Sequence, residues 1–279
     1  MGFEDDKNIV VSLIDGRLGN VLFQMANGYE YAVKTNSRFY IKLIDERWRP
    51  YYNTYTHLHL FPEYFGDFHD FIVLSEDRNN YVKLPLLKDR NIILHGWFES
   101  EFYTPDNLFC NEKLKPDNNI VDSIKTQYPN IENCVGISIR RGDYIGPHSN
   151  FLIPKIEWYR QTYHKYFNGC QAIIFSDNIE WCHEHMSKND NFTFHYTDHS
   201  NEDLYLIENP MYNLYTMALC KHHICSDSTW SWWGAKLFEQ KDAINVFQDK
   251  RYTDNSKESL YIPDRWIKER TDYEQFNDK

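Results

Sequence analysis

The chain has no Cys-x-x-Cys pair among its six cysteines, no G-x-x-x-x-G-K-[ST] loop, no Asp-x-Asp pair and no G-x-S-x-G turn. Each absence removes a chemistry. A P-loop nucleotide site lacks its glycine cradle, and a hydrolase of the nucleophile-elbow type lacks its serine. A divalent-metal nucleotide clamp built on Asp-x-Asp lacks its ligands. His183-Glu184-His185 does not have the i, i+4 spacing of a helical zinc site, and His222 and His223 point in opposite directions on a strand.

Positive charge is also scarce. Lys and Arg number 30 against 41 Asp and Glu, a net charge of -11. Binding to nucleic acid or an anionic membrane needs basic patches for counterion release, and none longer than "IRR" is present. Any polyanion held by this chain is small and held locally. The N-terminus "MGFEDDKNIVVSLIDG" is acidic, without the basic flank of a signal peptide and without an apolar run long enough for an anchor. A cytoplasmic address is the expectation. In a chain of this size the cysteines then read as buried thiols of a reducing compartment.

What remains is a well-furnished folded chain. Hydrophobic residues are 42% and aromatics 17% of 279 residues, far too apolar for disorder. Short apolar runs alternate with helical patterns: "NIVVSLI", "NIILHGW", "CVGISI", "QAIIFSD", "HHICSD" and "AINVF" read as strands. This predicts an α/β protein with parallel sheets. The polar stretch 114–133 is the expected junction between two domains, 1–125 and 126–279, with a charged tail from about 255 that either packs back as a helix or frays.

Four segments carry candidate chemistry. In "IDGRLGNVLFQMANGYEYA" two glycines, Gly16 and Gly19, mark the turn from a strand into a helix. Asn20, Gln24 and Asn27 make a narrow polar stripe on that helix. It is either a solvated face or, with Arg17, part of a ligand cleft at the carboxyl end of the strand. In "VGISIRRGDY" period-two alternation puts Ser138 and Arg140 on one face, with Arg141 opposite. Arg140 is placed for the fork-like contact that phosphate oxygens favour, and Arg141 for an ion pair with Asp143 or a neighbouring carboxylate, a structural ion pair being the alternative for both.

In "QAIIFSDNIEWC" Asp177 is either a helix N-cap or a carboxylate that reads a guanine edge. In "CKHHICSDSTWSWWGAKLF" a strand runs through Asp227, Ser228 and Thr229 into an aromatic helix. The hydroxyls and backbone N–H groups there form either a simple cap over a tryptophan core or an anion site ready for phosphate. Gln24, Asp143 and Trp232 are further candidate contacts in such a cleft, and the aromatics of 48–68 either line a ligand pocket or pack the core.

Together with "HGWFESEFY", these segments in this order and spacing resemble glycosyltransferase family 11, the α-1,2-fucosyltransferases. The resemblance implies a GT-B-like architecture, two Rossmann-like α/β domains facing a donor/acceptor cleft. It implies inverting transfer of L-fucose from GDP-β-L-fucose to a hydroxyl of a glycan acceptor, typically O-2 of galactose, with no required metal or cofactor. Arg140 would hold the β-phosphate and assist its departure, Ser228 and Thr229 would meet the phosphates, Asn20 would lie near the fucose and Asp177 would read guanine. A non-catalytic carbohydrate- or nucleotide-binding protein on the same scaffold, or a transferase using another GDP-sugar, is the alternative.

Three positions depart from the family pattern. Ser138 stands where His is usual, so that a donor-binding role of the imidazole is either absent or taken over by the Ser138 hydroxyl or a water; Val21 stands where Gln is usual, and Asp227-Ser228-Thr229-Trp230 where Asn-Ser-Thr-Phe is usual. The extra charge of Asp227 beside a phosphate site calls for a capping role or a cation.

Overall fold

The computed structural model describes residues 7–49, 60–77, 82–146, 149–186, 191–195, 210–254 and 262–274. The chain divides into two compact units, Met1–Lys115 and Pro116–Lys279. This division lies N-terminal of the expected junction at 125, because helix Asn118–Gln127 belongs to the second unit. There its buried Ile124 and the Ser123 hydroxyl, 3.3 Å from that of Tyr212, tie it to helix Pro210–Leu219.

The first unit holds a four-stranded sheet of β1 (Ile9–Ile14), β2 (Arg38–Leu43), β3 (Phe71–Ser75) and β4 (Asn91–His95), in the order β2-β1-β4-β3. Every pairing is parallel. Helix α1 (Leu18–Thr35) packs on β1, and the short α2 (Leu108–Glu112) lies against α1. The core gathers Val10, Ile92 and Leu94 from the sheet with Tyr31 and Ala32 from α1. The polar stripe is not a solvated face. Gln24 and Asn27 are buried, and Gly28 is needed where the helix meets the sheet, since a Cβ there would lie 2.1 Å from Ser12 Oγ.

The second unit holds six strands: β5 (Val135–Ile139), β6 (Ala172–Ser176), β7 (Phe192–His195), β8 (His222–Cys225), β9 (Asn245–Gln248) and β10 (Ile267–Glu269). They lie in the order β10-β9-β8-β5-β6-β7, all parallel. Counted within the unit this is the doubly wound order, whose topological switch point falls between β5 and β8. The helices are α3 (Asn118–Gln127), α4 (Ile156–Phe167), α5 (Ile179–His185), α6 (Pro210–Leu219) and α7 (Thr229–Lys236). All five residues of β5 and of β6 are buried, as expected for central strands covered on both faces. That is why their sequences read as apolar runs rather than alternations.

The C-terminal segment forms neither a helix nor a frayed end over 262–274. It supplies β10, whose neighbour Trp266 stacks on Phe247 at 5.0 Å and 7°, and Pro154 and Tyr273 form an antiparallel bridge. Trp266 and Ile262 are buried, and that apolar area keeps a charged stretch in the sheet. The six cysteines are free thiols, and Cys134, Cys182, Cys220 and Cys225 are buried. Among the described residues, no helix is long and apolar enough to cross a membrane.

Candidate active site

Each unit gathers its candidate residues at its own switch point. In the first unit the chain leaves β1 through Asp15, whose Oδ1 accepts the Gly16 N–H at 2.7 Å. Gly16 takes φ +85°, and a Cβ there would lie 2.7 Å from Asn20 Nδ2 and 3.0 Å from the Trp97 ring. Only glycine permits both the left-handed turn and this close approach. Arg17 is the extended N-cap residue of α1 and is exposed; Asn20 is half-buried in the first turn. Trp97, just past β4, sits across the same switch point. Gln24 is not available to a sugar: it is 2% exposed, and its Oε1 accepts the Asp15 N–H at 2.9 Å. It braces the turn instead.

In the second unit the site begins where β5 ends. Ser226, the residue after β8, donates both its backbone N–H and its hydroxyl to the Ser138 carbonyl, at 3.1 and 3.2 Å. Its Oγ in turn accepts the Arg140 N–H at 3.1 Å. The switch-point loops are therefore pinned together by one serine. Sequence reasoning passed over Ser226, because nothing in "ICSDST" distinguishes it from its neighbours until β8 is known to pair with β5.

Arg140 lies between two carboxylates. Its Nη1 is 2.5 Å from Asp177 Oδ2 and its Nη2 pairs with Asp143 Oδ1, while the guanidinium carbon stands 5.3 Å from the Tyr144 ring centroid. Asp143 thus pairs with Arg140 and not with Arg141. The reason is local geometry: Gly142–Tyr144 is a single 3-10 turn that folds Asp143 back over the strand end. Arg141 is buried, its guanidinium 3.5 Å from the Trp181 ring centroid and its Nη1 2.5 Å from Glu274 Oε1.

Asp177 is not the N-cap of α5. Asn178 is, with its Oδ1 accepting the Trp181 N–H at 3.2 Å. Asp177 Oδ1 accepts the Arg141 N–H at 2.8 Å, so both oxygens of the carboxylate face the arginine turn. The carboxylate packs so closely beneath Gly142 that a Cβ there would lie 2.2 Å from Oδ2. The carboxylate thus lies at the switch point beside Arg140, with Oδ2 in the ion pair and Oδ1 on the Arg141 N–H.

Ser228 is the N-cap of α7. Its Oγ accepts the Ser231 N–H at 3.1 Å and lies 2.7 Å from Ser231 Oγ, which is 2.8 Å from Ser138 Oγ. This buried chain of three hydroxyls accounts for Ser138: the side chain is 4% exposed and spent on Ser231, inside the protein. Thr229 opens the helix, and the positive end of the helix dipole faces the same strand ends as Arg140. Trp232, 1% exposed, packs against Trp233 and Trp266 and is core rather than an acceptor platform.

Asp227 does not cap the helix. It is buried and shares the surroundings of Tyr144 with Arg251 and Arg140: the Tyr144 hydroxyl donates to the Asp227 carbonyl at 3.4 Å. Burial pushes the Tyr144 phenol up to about 12, against the pull of the two arginines. An aromatic ladder continues outward, with Tyr144 stacked on Phe151 at 3.9 Å and Arg251 over both Phe151 and Tyr252. Arg251, Tyr144 and Ser231 escaped the sequence reading because their partners come from distant segments. Of the proposed acceptor segment 48–68, residues 50–59 lie outside the described residues.

Two α/β units with all-parallel sheets, each with its polar residues at a strand-order switch point, have the build of GT-B-like glycosyltransferases. Residues 69–270 match the family model "Glycosyl transferase family 11", and the chain belongs to that family and is a glycosyltransferase. An α-1,2-colitosyltransferase of Escherichia coli is 24% identical over 94% of this chain and 99% of its own. The O-antigen biosynthesis glycosyltransferase WbnK, also of Escherichia coli, is 31% identical over 48% of this chain and 44% of its own. In fold, the crystal structure of the NodZ α-1,6-fucosyltransferase co-crystallised with GDP is similar, with a TM-score of 0.51 and 16% identity over 83% of this chain and 93% of that one.

Proposed function

We propose that the protein transfers L-fucose from GDP-β-L-fucose, with inversion, to a hydroxyl of a galactose-containing glycan, O-2 of galactose being the favoured position. The observation that supports this most is the placement of Arg140 at the carboxyl end of β5, at the switch point beside the N-terminus of α7. In the reaction the acceptor hydroxyl attacks C1 of the sugar from the face opposite the diphosphate. The bond from C1 to the β-phosphate oxygen breaks, the electron pair leaves with GDP, and the acceptor hydroxyl gives up its proton to a base or to water.

The charge that develops on the departing diphosphate then meets the fixed guanidinium of Arg140 and the N–H groups of the first turn of α7. Preorganised donors of this kind are each worth about 3 to 4 kcal/mol in the transition state. On this reading no metal is needed to carry the departure. Arg17 and Asn20 bind on the donor side, with Thr229 at the phosphates. The name of the relative that transfers colitose favours one second reading, a different deoxy-sugar on the same nucleotide.

The test is turnover of GDP-fucose against a galactoside in excess EDTA. We expect full activity in the chelator, and loss of at least a hundredfold in kcat for Arg140→Ala in a protein that still unfolds cooperatively. Near-normal turnover in that variant removes the mechanism. Transfer of another GDP-sugar in place of fucose replaces the donor and keeps the mechanism.

A further inference from the structure

We infer that Trp97 is the platform on which the galactose ring of the acceptor lies, aimed at the first unit's switch point by a strained turn that Glu76 clamps. The inference rests on the fucosyl-transfer reading above and concerns how the first unit takes the second substrate.

Trp97 and Phe98 follow β4 and go separate ways. Phe98 is 1% exposed and belongs to the core of the unit, its ring edge-on to that of Tyr103 at 5.1 Å and 81°. Trp97 is half-buried, and its Cζ3 comes within 3.0 Å of the point that a Cβ on Gly16 would occupy. The Nδ2 of Asn20 comes within 2.7 Å of the same point. An indole and an amide therefore meet over one glycine. A neutral sugar takes that pairing, since its ring CH groups need an apolar face and its hydroxyls need a polar partner.

The turn that carries Trp97 is held against its own preference. Phe98 has φ +53°, the left-handed region that a bulky residue rarely adopts. Glu76 Oε2 accepts the N–H of Trp97 at 2.7 Å and that of Phe98 at 2.9 Å. A Cβ on Gly96 would lie 2.4 Å from that of Glu76, so glycine lets the clamp close. Backbone strain persists where the surroundings over-determine it, and it gathers at ligand clamps. Here it buries Phe98 while Trp97 faces Gly16.

The chemistry of the two substrates selects the occupant. The diphosphate of the donor needs fixed positive charge, which Arg140 and the N-terminus of α7 offer in the second unit. A galactoside carries no charge, and its axial O-4 leaves the hydrogens of C3, C4 and C5 on one face as an apolar patch for an indole. Asn20, on the donor side of the proposed reaction, then neighbours both sugars, as a residue at the point of transfer must.

Steady-state kinetics with both substrates varied, beside tryptophan fluorescence, decides the matter. Trp97→Leu keeps apolar bulk without the aromatic face and is expected to raise KM for a β-galactoside about tenfold, with KM for GDP-fucose and the Kd of GDP moved less than about twofold. Trp97→Phe is expected to keep most of the galactoside affinity. Galactoside should change the fluorescence of the wild type and not that of Trp97→Phe. Glu76→Ala is expected to raise the same KM, and Glu76→Gln to recover most of it, because one amide oxygen can still accept both N–H groups. A merely structural turn would not move one substrate's KM alone.

An unchanged galactoside KM in folded Trp97→Leu overturns the inference, as does a rise in KM for GDP-fucose in its place. Should Trp97→Leu fold poorly, the fluorescence of the wild type against Trp97→Phe decides. Absence of GDP binding by the folded wild type overturns the donor reading itself, and the galactoside fluorescence change still decides the platform.

Discussion

The guanidinium of Arg141 lies over Trp181, its carbon 3.5 Å from the ring centroid, and reaches across to Glu274 near the other end of the chain. The second arginine of "IRRGDY" is therefore a clasp for the C-terminal segment, beside an arginine that pairs with Asp143 and Asp177. Replacing it leaves a mostly buried carboxylate without its cation and removes a desolvated cation–π contact. Arg141→Ala is expected to destabilise the protein by about 3 kcal/mol in urea unfolding. Glu274→Gln should cost clearly less, because a neutral amide can still accept.

Gly142 has no positive φ, so its requirement is one of space. A methyl group there meets Asp177 Oδ2 at 2.2 Å and forces the carboxylate off Arg140. Gly142→Ala is expected to reduce kcat/KM at least tenfold, with a smaller change in Tm than Arg141→Ala gives. Steady-state kinetics beside a thermal melt separate the two effects.

The hydroxyl chain Ser138–Ser231–Ser228 leaves no room for a larger side chain at its inner end. Ser228→Ala removes the N-cap of α7 and is expected to cost about 1 kcal/mol. Ser138→His restores the residue usual in the family but overpacks a site already filled by Ser231 Oγ at 2.8 Å, at a cost of about 1 to 3 kcal/mol. Adding Ser231→Ala should recover part of that loss, measured as the unfolding midpoint of the double variant.

His195 gives the protein a pH dependence of defined sign. It is buried, with Nδ1 2.6 Å from the Tyr128 hydroxyl and Nε2 2.9 Å from Asn213 Oδ1. Burial lowers its pKa below the ordinary value of 6.5, and the hydrogen bond to Asn213 only partly opposes this. The unfolded chain takes up the proton first, so stability is complete above about pH 6.5 and falls as the pH drops toward the folded value. Burial shifts His222 and His223 in the same direction. The urea midpoint is expected to fall between pH 7.5 and 5.5, and His195→Gln to flatten that fall by up to about 1.4 kcal/mol per pH unit.

Much of this was legible in the chain. The apolar runs at 9–14, 91–95, 135–139, 172–176, 222–225 and 245–248 are strands, because a parallel strand buried on both faces is written as a short continuous apolar segment. Strand β10 was hidden, since "DRWIKE" is charged and is held by Trp266 stacking on Phe247. The polar stripe on α1 reads from sequence as either a solvated face or a cleft edge, because amphipathic reasoning has no place for buried amides, whereas Gln24 is buried and satisfies the backbone of Asp15.

What the sequence by itself determined is the place of the six apolar strands, the arginine at the end of one of them, and the helix N-terminus after another. These are properties of neighbouring residues, set by burial periodicity and capping. Only the tertiary structure decided which charge meets which. Arg140 faces Asp177, Arg141 takes Glu274, and Ser138 turns to Ser231. Those partners lie far apart along the chain and converge only through the strand order β10-β9-β8-β5-β6-β7. Ion pairs and hydrogen bonds act over a few ångströms of space, and spacing along the chain carries no record of that distance until the sheet has formed.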